Sequence, residues 1–454
     1  MTKNEPDAEQ LTAAGLSAGA PVGVAPADAE LPPTPADGTD VAGPTQPVSK
    51  SYIVWLMLAS FGASMAMMVP LAYGIAVRIT ELAPGHEEVL GYITGIAQGV
   101  YLLISPIVGI WSDRTRSRFG RRGPFIFLGS TIGFLGLVVI GLAPNMVVVG
   151  AGWVLGMSGW SIAGAALQTL QADKLPEQQR GKVSALTSLM TQIAPVLGIG
   201  VAYAVSSNTL LVFVVPGLIG AVLLVLFPLV KPEGSSKDLA PSTDVTLKSV
   251  VTSYGFNVRK YPDFAWNWLG RFVFFIGLYF NTTFGTFFYA QRLDLPVREV
   301  AGIVATVGLV GVLAAGIGAI AGGFLSDRLQ RRRLFVMIAA LLFVGGAVVE
   351  ATAWSLPQIV VGAVLMQLAI AVFATVDQAI IFAIIPERSE AGRYMAVIQF
   401  AQKIPSAVAP LIAGLVITIG AVGGEKNYTL LYLCGAVFAL VGGLVILLKV
   451  KSVR

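Results

Sequence analysis

From Tyr52 onward the chain alternates long apolar runs with short polar breaks. The runs lie near 52–77, 88–111, 124–142, 145–172, 182–206, 209–230, 264–290, 298–325, 334–353, 356–385, 393–420 and 427–449. Each is long enough to cross about 30 Å of hydrocarbon as a helix, which takes roughly 20 residues. Twelve transmembrane helices are therefore expected, an all-α membrane protein. The longest polar break after the first run, "KPEGSSKDLAPSTDVTLKSVVTSYGFNVRKYPD" at 231–263, divides them six and six.

Composition agrees. Mean hydropathy is +0.78, with 55% hydrophobic and only 12% charged residues in 454, whereas soluble domains carry about 25% charge. Residues 1–48 are the exception, rich in Ala, Pro, Gly and Asp with almost no aromatic side chain. Such a segment buries too little apolar surface to order itself, and we expect a disordered tail. It has no basic stretch leading into an apolar core, so it does not read as a signal peptide. A single cysteine, Cys434, and a single histidine, His86, exclude a disulfide framework and a His/Cys metal cage within this chain.

Basic residues set the orientation. Of the 30 Lys and Arg, 24 lie in the tail, the even-to-odd loops or the C-terminus. Arg78, Arg292, Arg298 and Lys426 fall on the other side, and Arg271 and Lys403 lie inside spans. The positive-inside rule then puts both termini in the cytoplasm. The predicted organisation is a cytoplasmic tail (1–48), an N-terminal six-helix bundle (49–230), a central cytoplasmic loop (231–263) and a C-terminal bundle (264–454).

The two bundles repeat. "GIWSDRTRSRFGRR" after the second span returns as "GGFLSDRLQRRR" after the eighth, with Asp113 and Asp327 in step. "LPEQQRGKVSA" after the fourth returns as "IPERSEAGRYMA" after the tenth, and "TQIAP" (191–195) returns as "AQKIP" (401–405). Parallel halves related in this way leave a cavity between them, the architecture of an alternating-access carrier.

The motif G-x-x-S-D-R followed by R-x-G-R-R, with its degenerate copy after the eighth span, resembles the loop motif of the major facilitator superfamily. The longer "SDRTRSRFGRRGPFI" is similar to the sucrose:proton symporters and the neighbouring glycoside-pentoside-hexuronide:cation symporters. The resemblance implies a membrane carrier in the inner, plasma membrane that takes up a small solute such as a sugar, glycoside or sugar acid, coupled to a proton or sodium ion. It implies no other cofactor, no nucleic-acid partner, no enzymatic activity and a monomer. Gly123 stands where a further basic residue is expected, and the fourth span, "GWVLGMSGWSIAGAALQTLQAD", has Met157 where the sucrose symporters carry an acid.

The resemblance further implies that Asp113 faces the start of the eleventh span at Gly392 and Arg393. The expected latch comprises Asp113, Arg114, Arg118, Arg121 and Arg122, with Asp327 and Arg328 in the repeat. A carboxylate at a helix N-terminus gains about 0.3 to 2 kcal/mol, enough to bias a two-state carrier. The alternative is a topology anchor, which accounts for the arginines but not for the acid. Glycines four apart, at Gly91, Gly95 and Gly99 and at Gly152 and Gly156, allow close helix approach.

Spans 1, 4, 7 and 10 are implied to line the cavity. Their candidate solute-binding residues are Tyr73, Gln168, Arg271, Asn281 and Gln378, with Tyr279 beside them and aromatic surfaces at Trp153, Trp160 and Trp268. Amides also bond helix to helix, the alternative for each of them. Trp55, Trp111, Trp266 and Trp354 lie near span ends and read as interfacial residues. Three charges fall deep within spans, and such charges cost about 2.5 to 3.5 kcal/mol each. Asp377, Lys403 and Arg271 share a depth, so Asp377 is expected to pair with Lys403, Arg271 or both and to act in coupling. A proton-coupled exporter of small hydrophobic molecules is the rival reading, on the strength of "APVLGIG" in span 5. An embedded enzyme or receptor is a lesser one.

Overall fold

A computed structural model of the chain describes residues 47–237, 255–387, 390–421 and 424–453. The expected tail, except for its last two residues, and the 238–254 part of the central loop lie outside the described residues. Hydrocarbon offers the backbone no hydrogen-bond partners, so each crossing must satisfy its own amides. The described residues accordingly form helices joined by turns. These are α1 (Lys50–Leu82), α2 (Glu88–Arg114), α3 (Gly123–Leu142), α4 (Met146–Lys174), α5 (Glu177–Ala204) and α6 (Thr209–Val230). The second half comprises α7 (Pro262–Thr283), α8 (Ala301–Leu329), α9 (Arg332–Ala351), α10 (Leu356–Ile384), α11 (Ala391–Val416) and α12 (Tyr428–Lys449).

Local chemistry sets their ends. Ser49, Asn145, Asn208 and Asn427 cap α1, α4, α6 and α12, each accepting a backbone N–H of the first turn, as short polar side chains do at helix starts. Pro124, Pro262 and Pro357 sit in the first turns of α3, α7 and α10, where a missing N–H costs nothing. Two helices are irregular. A π-turn at Pro70–Gly74 interrupts α1, and α7 bends by 47° at Phe284 into a short continuation, Gly285–Leu293. Eleven helices are thus long and apolar enough to cross a membrane, or twelve when the bent pair counts as one.

Packing repeats with the sequence. In the first half α3 lies on α4 and α6, α1 on α5 and α6, and α2 on α4; in the second, α9 lies on α10 and α12, α7 on α11 and α12, and α8 on α10. Every one of these pairs becomes its counterpart when six is added to both numbers. The halves meet through α2 on α11 and α5 on α8.

That junction is a wedge. A side-chain carbon added at Gly91 would stand 2.2 Å from the Pro410 carbonyl oxygen, and one at Gly95 2.6 Å from that of Ala407. At Gly99, one turn nearer the arginine-rich loop, nothing lies within 4 Å. The helices touch toward one face and part toward the other.

Polar contacts close the touching face. Lys426 Nζ lies 2.7 Å from Glu88 across the halves. Arg298 pairs with Glu81, donates to the Ser206 carbonyl at 2.6 Å and to Thr209 Oγ1 at 3.1 Å, and offers its own carbonyl to the Tyr73 hydroxyl at 2.9 Å.

On this geometry Gly95→Leu forces the halves apart at the touching face. In a Cys434→Ser background, cross-linking between Glu88→Cys and Lys426→Cys is expected to fall several-fold when Gly95→Leu is added. Undiminished cross-linking would mean that the contact yields to the added side chain.

Candidate functional site

Between the halves lies a cavity of about 460 Å³. The α4 residues Trp153, Met157, Trp160, Ser161, Gly164 and Gln168 line it, at the three- and four-residue steps that put side chains on one helix face. Gly133 of α3 makes room for the Trp160 indole, since a side-chain carbon there would stand 2.6 Å from the ring. Ser64 of α1, Gln98 and Tyr101 of α2 and Thr191 of α5 add polar groups to the first half's share. The second half contributes Tyr279 of α7, Tyr289 of its continuation, Gln367 of α10, and Gln402, Lys403 and Ser406 of α11.

The cavity runs toward the open side of the wedge. A second chamber of about 230 Å³ shares Tyr101, Ala165 and Lys403 with the first and reaches Ser112, Asp113, Arg122 and Asp173 at the arginine-rich loop. A path therefore extends from the cavity to that face.

Its wall is neutral apart from one group. Among the described residues lining the larger chamber, Lys403 is the charged one, and it has interactions of its own. Several wall atoms meet no protein partner: the indole nitrogens of Trp153 and Trp160 and the amide oxygen of Gln168 are buried without a hydrogen bond among the described residues. Both indoles lie behind the cavity surface, whereas the Gln168 side chain is half-buried and reaches it.

Charge is held one layer behind this wall. Asp377 is wholly buried and forms an ion pair with Arg271, itself only 6% exposed. Asn267 Nδ2 donates to the other carboxylate oxygen at 3.1 Å. Arg271 donates in turn to Gln402 Oε1 at 3.2 Å and lies 5.0 Å above the Phe275 ring. Gln402, on the wall, links the pair to the cavity.

The expected site residues divide. Gln168, Tyr279, Trp153, Trp160 and Lys403 lie on the wall, and Asp377 meets Arg271 behind it. Others do not line the cavity. Tyr73 is wholly buried in the closed face. Asn281 is buried against α12, where its side chain fills the space beside Gly435, and its amide lies 3.6 Å from Met366 Sδ. Gln378 is half-buried off the wall. Trp268 pins α7 to α11 through a 3.0 Å bond from its indole N–H to the Val397 carbonyl. Missed by sequence reasoning are Ser64, Gln98, Tyr289, Gln367 and Gln402. The repeated "TQIAP" and "AQKIP" carried a signal for Gln402 alone.

The arginine-rich loop is anchored within its own half. Arg122 is buried and reaches Asp113 at 2.6 Å, Ser112 Oγ at 2.8 Å and Asp173 at 3.4 Å. Gly120, at φ +81°, brings the loop backbone against Glu233 of the central segment, which also accepts the Arg122 backbone N–H at 2.9 Å. In the repeat, Asp327 pairs with Arg332 at 3.0 Å. Arg114, Arg118 and Arg328 are exposed and Arg121 is half-buried. Asp113 thus lines the chamber opposite Ala396, Gln399 and Phe400 of α11 while its ion pair is with Arg122. Outside the spans, burial raises the Glu87 carboxyl above its ordinary range, against the pull of Lys426.

Comparison with known proteins adds the family. The model described as Major Facilitator Superfamily matches residues 54–317 and 299–454. A general alpha-glucoside permease of Schizosaccharomyces pombe is 34% identical over 98 residues, 22% of this chain and 17% of that protein. Sucrose transport protein SUC3 of Arabidopsis thaliana is 25% identical over 171 residues, 31% of this chain and 28% of its own. These matches span under a third of the relatives' length. Among solved structures, the nucleoside transporter NupG superposes with a TM-score of 0.71 at 12% identity, covering 88% of this chain and 99% of that one. A bacterial homolog of the human lysosomal transporter Spinster, in its inward-facing and unoccupied conformation, gives 0.64 at 18%, covering 89% and 98%. At these identities the likeness is one of fold.

Removing one member of the buried pair leaves an uncompensated charge, at a cost of about 3 to 5 kcal/mol. Asp377→Asn and Arg271→Gln are each expected to lower the melting temperature of the detergent-solubilised protein. The double variant is expected to recover part of the loss, and a double variant no better than the sum of the singles would show the pair to be uncoupled.

Proposed function

Because the chain belongs to the major facilitator superfamily, we propose that it is a cation-coupled secondary carrier for a sugar or glycoside, working by alternating access. The observation that carries this reading is the cavity wall, where the half-buried amides Gln98 and Gln168 of the first half and Gln367 of the second stand in an otherwise largely apolar lining. A sugar offers hydroxyls to such amides and apolar ring faces to the rest of the wall, and a largely apolar cavity with a few placed polar groups suits such a ligand. The sugar-permease relatives support the same class.

A neutral solute is favoured over a sugar acid, because Arg271 is engaged by Asp377 and stands behind the wall. Lys403 is the feature that would favour an acid. Both termini and the arginine-rich face are assigned to the cytoplasm by the positive-inside rule, in the plasma membrane, and the structure then corresponds to a cytoplasm-open state. One chain holds the whole path, so a monomer suffices.

In this scheme Asp377 is the coupling acid that α4 lacks, and its pairing with Arg271 would report solute through Gln402. Asp113 would exchange Arg122 for the start of α11 when the cytoplasmic face closes, the latch with its arginine cluster Arg114, Arg118, Arg121 and Arg122 and its repeat at Asp327 and Arg328.

Proteoliposomes offered sucrose, maltose, a methyl glucoside and glucuronate are expected to accumulate a neutral member of the panel. Gln168→Ala and Gln98→Ala should each cut that uptake about two- to twelvefold, the worth of one hydrogen bond of 0.5 to 1.5 kcal/mol. Uptake of none, with extrusion of lipophilic cations instead, would favour the exporter. Asp377→Asn is expected to abolish accumulation against a gradient while sparing counterflow; loss of neither would leave the pair a structural one.

A further inference from the structure

A further buried acid lies apart from the cavity. Glu350, next to the last residue of α9, is wholly buried, and neither carboxyl oxygen meets a cation or a backbone donor among the described residues. Its side chain packs on Gly362 of α10, where a side-chain carbon would stand 2.5 Å from it. The Tyr432 hydroxyl of α12 stands at its carboxyl, and the Tyr289 hydroxyl of the α7 continuation lies nearby without bonding it.

The cation in this region is committed elsewhere. Arg292, one turn beyond Tyr289, donates to the Ala351 carbonyl at 3.0 Å and to Thr429 Oγ1, and lies 4.8 Å above the Trp354 ring. Tyr428 of α12 and Glu425 of the preceding loop are the other titratable groups nearby, and neither supplies a positive charge. A buried ionised carboxylate without a cation beside it is far costlier than the neutral acid. Arg292 is bonded to the carbonyl of Ala351, the residue after Glu350, whereas Tyr289 reaches the cavity wall.

From this arrangement we propose that Glu350 is a proton-binding site of the carrier, loaded in this conformation and discharged toward the cavity on the Tyr289 side. The carboxylic acid gives its proton to a water entering from the cavity past Tyr289. A carboxylate and a hydronium ion result. The proposal rests on the reading of the chain as a cation-coupled carrier and names the cation as a proton.

Infrared difference spectroscopy of the purified chain tests it without any solute, so its outcome is separate from that of the uptake assay. At neutral pH the wild type should show a carbonyl band of a buried carboxylic acid that is lost in Glu350→Gln and kept in Asp377→Asn. Glu350→Asp, which retains the acid, should move the band rather than remove it, and decides the matter where Glu350→Gln does not fold. Tyr289→Phe should keep the band but slow its shift on transfer to D2O several-fold. A wild type without such a band, or a band unmoved by both changes at Glu350, would overturn the site. Unchanged exchange in Tyr289→Phe would overturn the path.

Discussion

The close approach of α2 and α11 at Gly91 and Gly95 fixes the angle between the two halves, and the other features of the molecule follow from it. Where a backbone carbonyl stands in the place of a side chain, the helices can be in contact only while both positions are glycine. Contact at that end and separation by Gly99 make the halves a wedge. The cavity is the space inside the wedge, and its path leads to the face where the helices part. Helices in hydrocarbon gain little from apolar burial against one another, so close packing and a few polar links must hold them. The Lys426–Glu88 and Arg298–Glu81 pairs lie at the closed end, where they can lock it.

Within this frame, charge is arranged by depth. The wall facing the cavity is nearly neutral, and the ion pair of Asp377 with Arg271 stands one side chain behind it. Setting the pair back keeps it out of direct competition with a neutral guest for hydrogen bonds. Gln402 is the connection, because its amide oxygen accepts from Arg271 while its side chain lines the cavity.

Sequence reading located the helices well because each span is a long apolar run with a polar break, a signal that survives without any alignment. It located the cavity wall less well, and the reason is physical. A helix that is apolar nearly all round has no polar stripe to mark its inward face. Tyr73 and Asn281 were therefore indistinguishable from Gln168 as candidates, although one belongs to the closed face and the other packs against α12. Assigning the wall to spans 1, 4, 7 and 10 left Gln98 and Gln402 unseen, because α2 and α11, the helices that join the halves, also face the space between them. The pairing of Asp377 was legible from depth alone. Glu350 was not, since an acid within a turn of a helix end reads as an interfacial residue until its complete burial is known.

The charges deep within the spans, Arg271, Asp377 and Lys403, belong to the second half, as does the buried acid Glu350 near the end of α9. The first half offers the cavity amides and hydroxyls, groups that bind without changing charge near neutral pH. Division of this kind separates two tasks that would conflict in one place. A solute held by neutral amides need not displace a proton to bind, and a proton held in the second half need not compete with the solute for its ligands. Coupling then requires something that both tasks move, and α7 with its continuation meets that condition. It carries Arg271 behind the wall, Tyr279 and Tyr289 on the wall and Arg292 on the Ala351 carbonyl beside Glu350, and its 47° bend lies between Tyr279 and Tyr289. In the proposed carrier a change in that bend would move the Asp377 pair and the surroundings of Glu350 together, so α7 is the element through which solute and proton would sense each other.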